Sequence, residues 1–301
     1  APRGGAGRTT ITGGMLSLAG AGSIAASSGV ALATGASFDR VANLWIKNPD
    51  GTILKNHMGP TVNVDELPFP DYDIFESQRF FRPMQGSLLR IMPIEMHRGC
   101  PYQCAFCEDP IQSKMYREIG ERYHRAKNPK KLIEELRILV DKYQAEYIYF
   151  NAETFLAMSQ SQFDQFVEMY EKFKAPFWIQ TRVETLDEYR ISGLEQVGCN
   201  RISIGLEHGN EEFRQKVIGK GFSNQAIIDV FQLLDQHTIP ITVNNIIGFP
   251  HETRELAFDT IRLNRTFGAD DRNAYPFTPF TGTPLRQVCE ELGFVKKTDV
   301  V

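Results

Sequence analysis

The sequence predicts an α/β fold: an open, partial (β/α)6 barrel behind a short low-complexity segment and a linker. Two observations carry this. From Leu88 onward, short apolar runs alternate with longer segments of helical periodicity, and the alternation repeats six times. The apolar runs are nearly continuous, the mark of strands buried on both faces of a parallel sheet covered by helices. Six units fall short of the eight that close a barrel, so the sheet is expected to stay open.

The elements follow in order. Residues 1–37 are rich in Gly, Ala, Ser and Thr and carry neither an aromatic nor an acidic residue. Such a segment buries little surface and is expected to be loose. It contains a G-x-G-x-x-A match, Gly20 to Ala25, but Gly29 interrupts the only helix that could follow, so the match reads as a product of composition. Residues 38–85 read as a linker. Within it, 42–47 and 52–54 form a short hairpin around Asn48, Pro49, Asp50 and Gly51, and the proline-rich run 67–72 is forced into extended backbone. The barrel occupies 86–301. Its strands are expected at 89–96, 147–151, 177–182, 201–207, 241–248 and 273–280. Helices are expected at 130–143, 162–173, 186–197, 224–236 and 254–267, with a last one starting at 285–292. In the first of these, Leu132, Ile133, Leu136, Leu139 and Val140 share one face.

Barrels of this kind carry their chemistry at the C-terminal ends of the strands. The first strand ends in a stretch holding Cys100, Cys104 and Cys107, three of the five cysteines, spaced C-x3-C-x2-C. An odd number of clustered thiols does not make a disulfide framework. Two metal readings stand. Zinc would take the three thiolates with His97 or another side chain as fourth ligand. A 4Fe–4S cluster would take the three thiolates and keep one iron open, since ferredoxin-type runs supply four thiolates at other spacings.

The spacing, with the aromatic Phe106 directly before the last cysteine, resembles the signature of the radical S-adenosylmethionine superfamily. The resemblance implies a partial TIM-type barrel and a 4Fe–4S cluster whose open iron is chelated by S-adenosylmethionine. It also implies reductive cleavage to methionine and a 5′-deoxyadenosyl radical. The later strand ends fit the same pattern. Glu153 falls where the family has a Gly-Gly-Glu motif, with Asn151 and Ala152 replacing the glycines, and is expected to hold the methionine ammonium. Arg182 is expected either to fork onto a carboxylate of S-adenosylmethionine or substrate, or to pair with Glu184. Glu207 lies in a turn resembling G-x-E-x-G and is expected beside the ribose. Ile246 is expected to offer an apolar surface to adenine, and Phe106 to shape the cluster loop. Pro279 belongs to the run 277–284, which resembles the closing run of cobalamin-dependent members. His208, Cys199 and Cys289 read as structural.

The linker also resembles the connector of the cobalamin-dependent branch, whose members methylate, rearrange or cyclise their substrates. That branch is expected for the full-length protein, with cobalamin as a further cofactor. The chain begins at Ala1, not Met, in keeping with a fragment, and 1–37 is too short for a cobalamin domain, so the chain as given is expected to bind cobalamin weakly or not at all. A cobalamin-independent maturase or a methylthiotransferase-like enzyme is the alternative, although no cysteine precedes Cys100. A non-catalytic zinc or Fe–S module is a third reading. The expected partners are a small-molecule or peptide substrate and an external electron donor such as flavodoxin or ferredoxin. The net charge of −4, without a basic tract, argues against nucleic acid, and no apolar run is long enough to cross a membrane. Few cysteines and an oxygen-sensitive cluster point to the cytoplasm.

Overall fold

The computed structural model describes residue 38 and residues 41–299. The low-complexity segment 1–37 and its glycine match lie outside the described residues. The chain divides into two compact units, Ala1–Thr61 and Val62–Val301. In the first, β1 (Trp45–Lys47) and β2 (Ile53–Lys55) form the expected antiparallel hairpin. Its turn is built as the sequence implies: Gly51 takes a left-handed φ of 86°, and Asp50 Oδ1 accepts from the Thr52 amide at 2.9 Å.

The second unit contains the barrel. The expected boundary at 85–86 falls within it, in the turn between β3 (Phe81–Met84) and β4 (Ser87–Glu95). The barrel strands are β4, β7 (Tyr147–Asn151), β8 (Phe177–Thr181), β9 (Cys199–Glu207), β10 (Ile241–Ile247) and β11 (Asp271–Pro276). They pair in parallel and in chain order, and β3 adds an antiparallel strand at one edge of the seven-stranded sheet. The sheet is curled and open, a partial TIM-type barrel. A separate two-stranded ribbon, β5 (His97–Arg98) with β6 (Arg125–Ala126), brackets the cysteine loop.

The helices are α1 (Asp109–Glu118), α2 (Pro129–Arg137), α3 (Gln160–Tyr170), α4 (Glu188–Gln196), α5 (Glu211–Phe213), α6 (Asn224–Leu234), α7 (Arg254–Asn264) and α8 (Pro284–Glu291). Most start on the residue types that satisfy orphan amides. Ser159 and Gln162 make a reciprocal capping box, and Asn128, Asp187, Ser223, Thr253 and Thr283 each accept an amide of the first turn. Helix α2 passes into π-helical Ile138–Lys142, and α5 into π-helical Arg214–Ile218.

The core lies between sheet and helices. Ile148 and Phe150 of β7, Ile179 of β8, Ile202 and Ile204 of β9 and Val243 of β10 are fully buried there, against Phe163, Phe166, Tyr170 and Phe231 from the helices. Each such side chain contributes about 1.5–3 kcal/mol of burial, which is what holds a sheet of short strands together. The proline-rich run is part of this packing: Phe69 and Tyr72 lie against the core, and the Tyr72 hydroxyl donates to the Pro93 carbonyl at 2.8 Å. Among the described residues no helix is long and apolar enough to cross a membrane.

Candidate active site

The cysteine loop leaves β4 and is pinned at three points. Gly99 takes φ +85°, and a side chain there would run into the Tyr123 ring at 2.7 Å. The Ala105 amide donates to the Ile218 carbonyl at 2.9 Å, at the end of the second π-helical turn. The Ala105 carbonyl accepts from the Leu285 amide at 3.2 Å, at the start of α8. The loop is thus held by segments far apart in the chain.

Its thiols are free. Cys100 Sγ lies 3.5 Å from Thr154 Oγ1, Cys107 Sγ is 3.5 Å from Asp109 Oδ2, and Cys104 Sγ accepts from Arg182 Nη1 at 2.9 Å. Burial raises the Cys100 thiol above its ordinary range and pushes Cys107 up to about 12. Among the described residues no three His, Cys, Asp or Glu side chains converge on an ion-sized point. The donor set, three free thiols from one short loop, fits a cluster with one open iron. His97 leaves its Nδ1 without a hydrogen-bond partner. It is buried, its Nε2 lies 3.2 Å from the Phe155 carbonyl, and burial holds its pKa down to about 4.

The other expected residues divide. Glu153 follows β7 and reaches solvent, yet the surrounding loops desolvate its carboxyl and raise its pKa, with the nearby Gly99 amide acting the other way. Glu153 comes just past the end of β7, which pairs with the end of β4 ahead of the cysteine loop. Arg182, at the end of β8, is buried. It pairs with Glu184 through Nε at 2.8 Å, as one of its two expected roles required, and stacks on Tyr102 at 3.9 Å. Glu207 closes β9 in the left-handed region at φ 70°, and its carboxylate accepts from Lys220 Nζ at 2.8 Å. Phe106 and Ile246 meet in a small apolar cluster around Phe249, Phe213, Ile218 and Leu285, with Phe106 and Phe249 ring centres 6.2 Å apart. Pro279 is half-buried, its carbonyl accepting from Arg286 Nη1 at 3.2 Å. His208 accepts the Asn210 amide on its Nδ1 at 3.0 Å, so Nε2–H faces Glu252 at 3.1 Å.

Four partners were not singled out from sequence. Thr154 and Asp109 sit within two residues of positions that were. Tyr102 lies inside the cysteine stretch. Lys220 lies thirteen residues from Glu207 and only the turn after the π-helical segment brings it back.

The model of the Radical SAM superfamily matches residues 94–263, from β4 through most of α7 and so over the whole cysteine loop. The chain belongs to the radical SAM superfamily. The family uses a 4Fe–4S cluster and S-adenosylmethionine. A Pyrococcus horikoshii protein named as an uncharacterized methyltransferase is 29% identical over 224 residues, covering 74% of this chain and 46% of the relative. The anaerobic magnesium-protoporphyrin IX monomethyl ester cyclase of Rubrivivax gelatinosus is 25% identical over 250 residues, covering 81% and 42%. This radical SAM chain thus spans less than half the length of these relatives. Among solved structures, the radical S-adenosylmethionine methyltransferase TsrM from Kitasatospora setae, with cobalamin and a [4Fe–4S] cluster bound, superposes with a TM-score of 0.65. Identity is 16%, covering 89% of this chain and 52% of that one. The cobalamin-dependent enzyme OxsB gives a TM-score of 0.62 at 17% identity, covering 90% and 38%. At these identities the likeness establishes the fold.

Proposed function

We propose that this chain is the S-adenosylmethionine-cleaving barrel of a radical SAM enzyme that methylates or rearranges a small molecule or peptide. The carrying observation is the loop of three free thiols, locked into the barrel at Ile218 and Leu285, with Glu153 just past the neighbouring strand end. Cys100, Cys104 and Cys107 would hold the cluster, which supplies the electron that breaks the sulfonium C–S bond. The protein's own groups do the placing. Glu153 offers a carboxylate to an ammonium, a charge-assisted contact. Glu207, steered by Lys220, presents acceptors for ribose hydroxyls. Ile246 and Phe106 give the adenine ring an apolar wall, and Pro279 belongs to the run that closes the pocket. An external electron donor such as flavodoxin or ferredoxin supplies the electron.

Methylation is favoured by the Pyrococcus relative's name, and the cobalamin-dependent branch by the fold shared with TsrM and OxsB. Cobalamin in the full-length protein belongs to this proposal, as do the linker at 38–85 and a cytoplasmic location. Cyclisation is the second reading, favoured by the Rubrivivax relative. Feeding methyl-labelled S-adenosylmethionine to the reconstituted full-length protein with candidate substrates separates the two. Methylation carries label into product, whereas cyclisation yields 5′-deoxyadenosine and an unlabelled ring. Cleavage products from the cysteine-free variant equal to those of wild type would end the proposal.

A further inference from the structure

We propose that Arg182 is a positioning residue for Cys104 that sets the reduction potential of the cluster. The inference rests on the cluster reading above and assigns Arg182 a role other than binding a carboxylate of S-adenosylmethionine.

The guanidinium is constrained on every side. Its Nε and Nη2 both donate to Glu184 Oε1, at 2.8 and 2.5 Å. Its face lies 3.9 Å from the centre of the Tyr102 ring, a cation–π contact. The remaining nitrogen, Nη1, points at Cys104 Sγ from 2.9 Å. The residue is only 6% exposed. Glu184 thus occupies the fork that would grip a carboxylate, and the free edge is committed to sulfur.

The other two thiols lack such a donor. Cys100 faces the neutral hydroxyl of Thr154 and Cys107 faces the carboxylate of Asp109, each at 3.5 Å. The cysteine loop is therefore lopsided in its hydrogen bonding: among the three contacts only Cys104 faces a cationic N–H donor, one whose charge is shared with Glu184. A guanidinium stays protonated throughout the accessible pH range, so the contact does not switch off. Reduction adds negative charge to a cluster, and hydrogen bonds to its sulfurs favour the reduced form and raise the potential. In a buried setting this effect is stronger than in water.

The test is an EPR-monitored redox titration of the reconstituted chain, with iron and sulfide measured on the same samples. Arg182→Gln is expected to load iron as wild type does. At a fixed poise its ratio of reduced to oxidised cluster should fall by about tenfold, the scale of one charge-assisted hydrogen bond. Arg182→Lys, which keeps the charge and loses the fork, should fall between. An iron-loaded Arg182→Gln with the wild-type potential overturns the inference. If that variant holds no iron, Arg182→Lys decides: it keeps the charge and loses the planar fork, a more negative potential is expected, and an iron-loaded Arg182→Lys with the wild-type potential overturns the inference. A wild-type chain that takes up no iron overturns the cluster reading itself, and this inference with it. Loaded proteins with equal potentials overturn this inference alone.

Discussion

Glu207 shows how one backbone angle sets a side chain's chemistry. A φ of 70° is uncommon for a residue with a side chain. It turns the carboxylate back onto Lys220, whose ammonium also donates to the Gly205 carbonyl at 2.7 Å. Both partners are nearly buried, so removing one leaves the other uncompensated. Glu207→Ala should cost about 3 kcal/mol of stability and weaken S-adenosylmethionine binding. Denaturant melts and calorimetric titration of the cluster-loaded chain measure both, and unchanged affinity would remove Glu207 from the site. Glu207 was legible because glycines flank its turn, whereas Lys220 was not, since nothing local marks a pairing made through the fold. His97 supplies a pH prediction. Burial holds its folded pKa near 4, below its ordinary 6.5. The unfolded chain therefore binds more protons between those values. Stability from this group is complete above the upper value and is lost as pH falls toward the lower one, by at most about 3 kcal/mol. Melts of the cluster-free chain between pH 7 and pH 4.5 should show that slope, and His97→Gln should flatten it. Equal slopes in the two proteins would contradict the assignment.

At the scale of elements, the cysteine loop depends on the turn that ends the second π-helical segment. Gly219 takes φ +79° there, and a Cβ would meet the Gln103 carbonyl at 2.8 Å. Gly219→Ala should cost about 1–2 kcal/mol from the left-handed backbone alone, and the clash should push Gln103 and Cys104 out of place. Iron content after reconstitution should drop by more than the loss of folded protein explains. Full loading in a correctly folded variant would show that the loop does not lean on this turn. The barrel strands were legible because each is a short, nearly unbroken apolar run, and β7 matched to the residue. Several elements were not legible, two of them for clear physical reasons. Strand β3 contains Pro83, which suits an edge strand and argues against a strand in sequence. Helix α1 buries only Asp109, so it lacks the apolar stripe by which helices are read. The expected helix 130–143 was one α-helix in sequence and is an α-helix followed by a π-helical turn in the structure, because apolar spacing does not distinguish the two.

On the scale of the whole molecule, the six parallel strands in chain order bring strand ends from residues 95 to 276 to one side of an open sheet. The cysteine motif alone was enough to name the family, since three thiols at this spacing have few other uses. The substrate was not legible, because the residues that would meet it are dispersed over separate strands and no motif gathers them. The central claim is that Cys100, Cys104 and Cys107 hold a cluster that cleaves S-adenosylmethionine. Anaerobic reconstitution with iron and sulfide, then addition of reductant and S-adenosylmethionine, tests it most directly through 5′-deoxyadenosine formation. Wild type should bind a cluster and release 5′-deoxyadenosine and methionine, and Cys104→Ala should release none. A Cys104→Ala protein with full iron content and wild-type 5′-deoxyadenosine production would contradict the account.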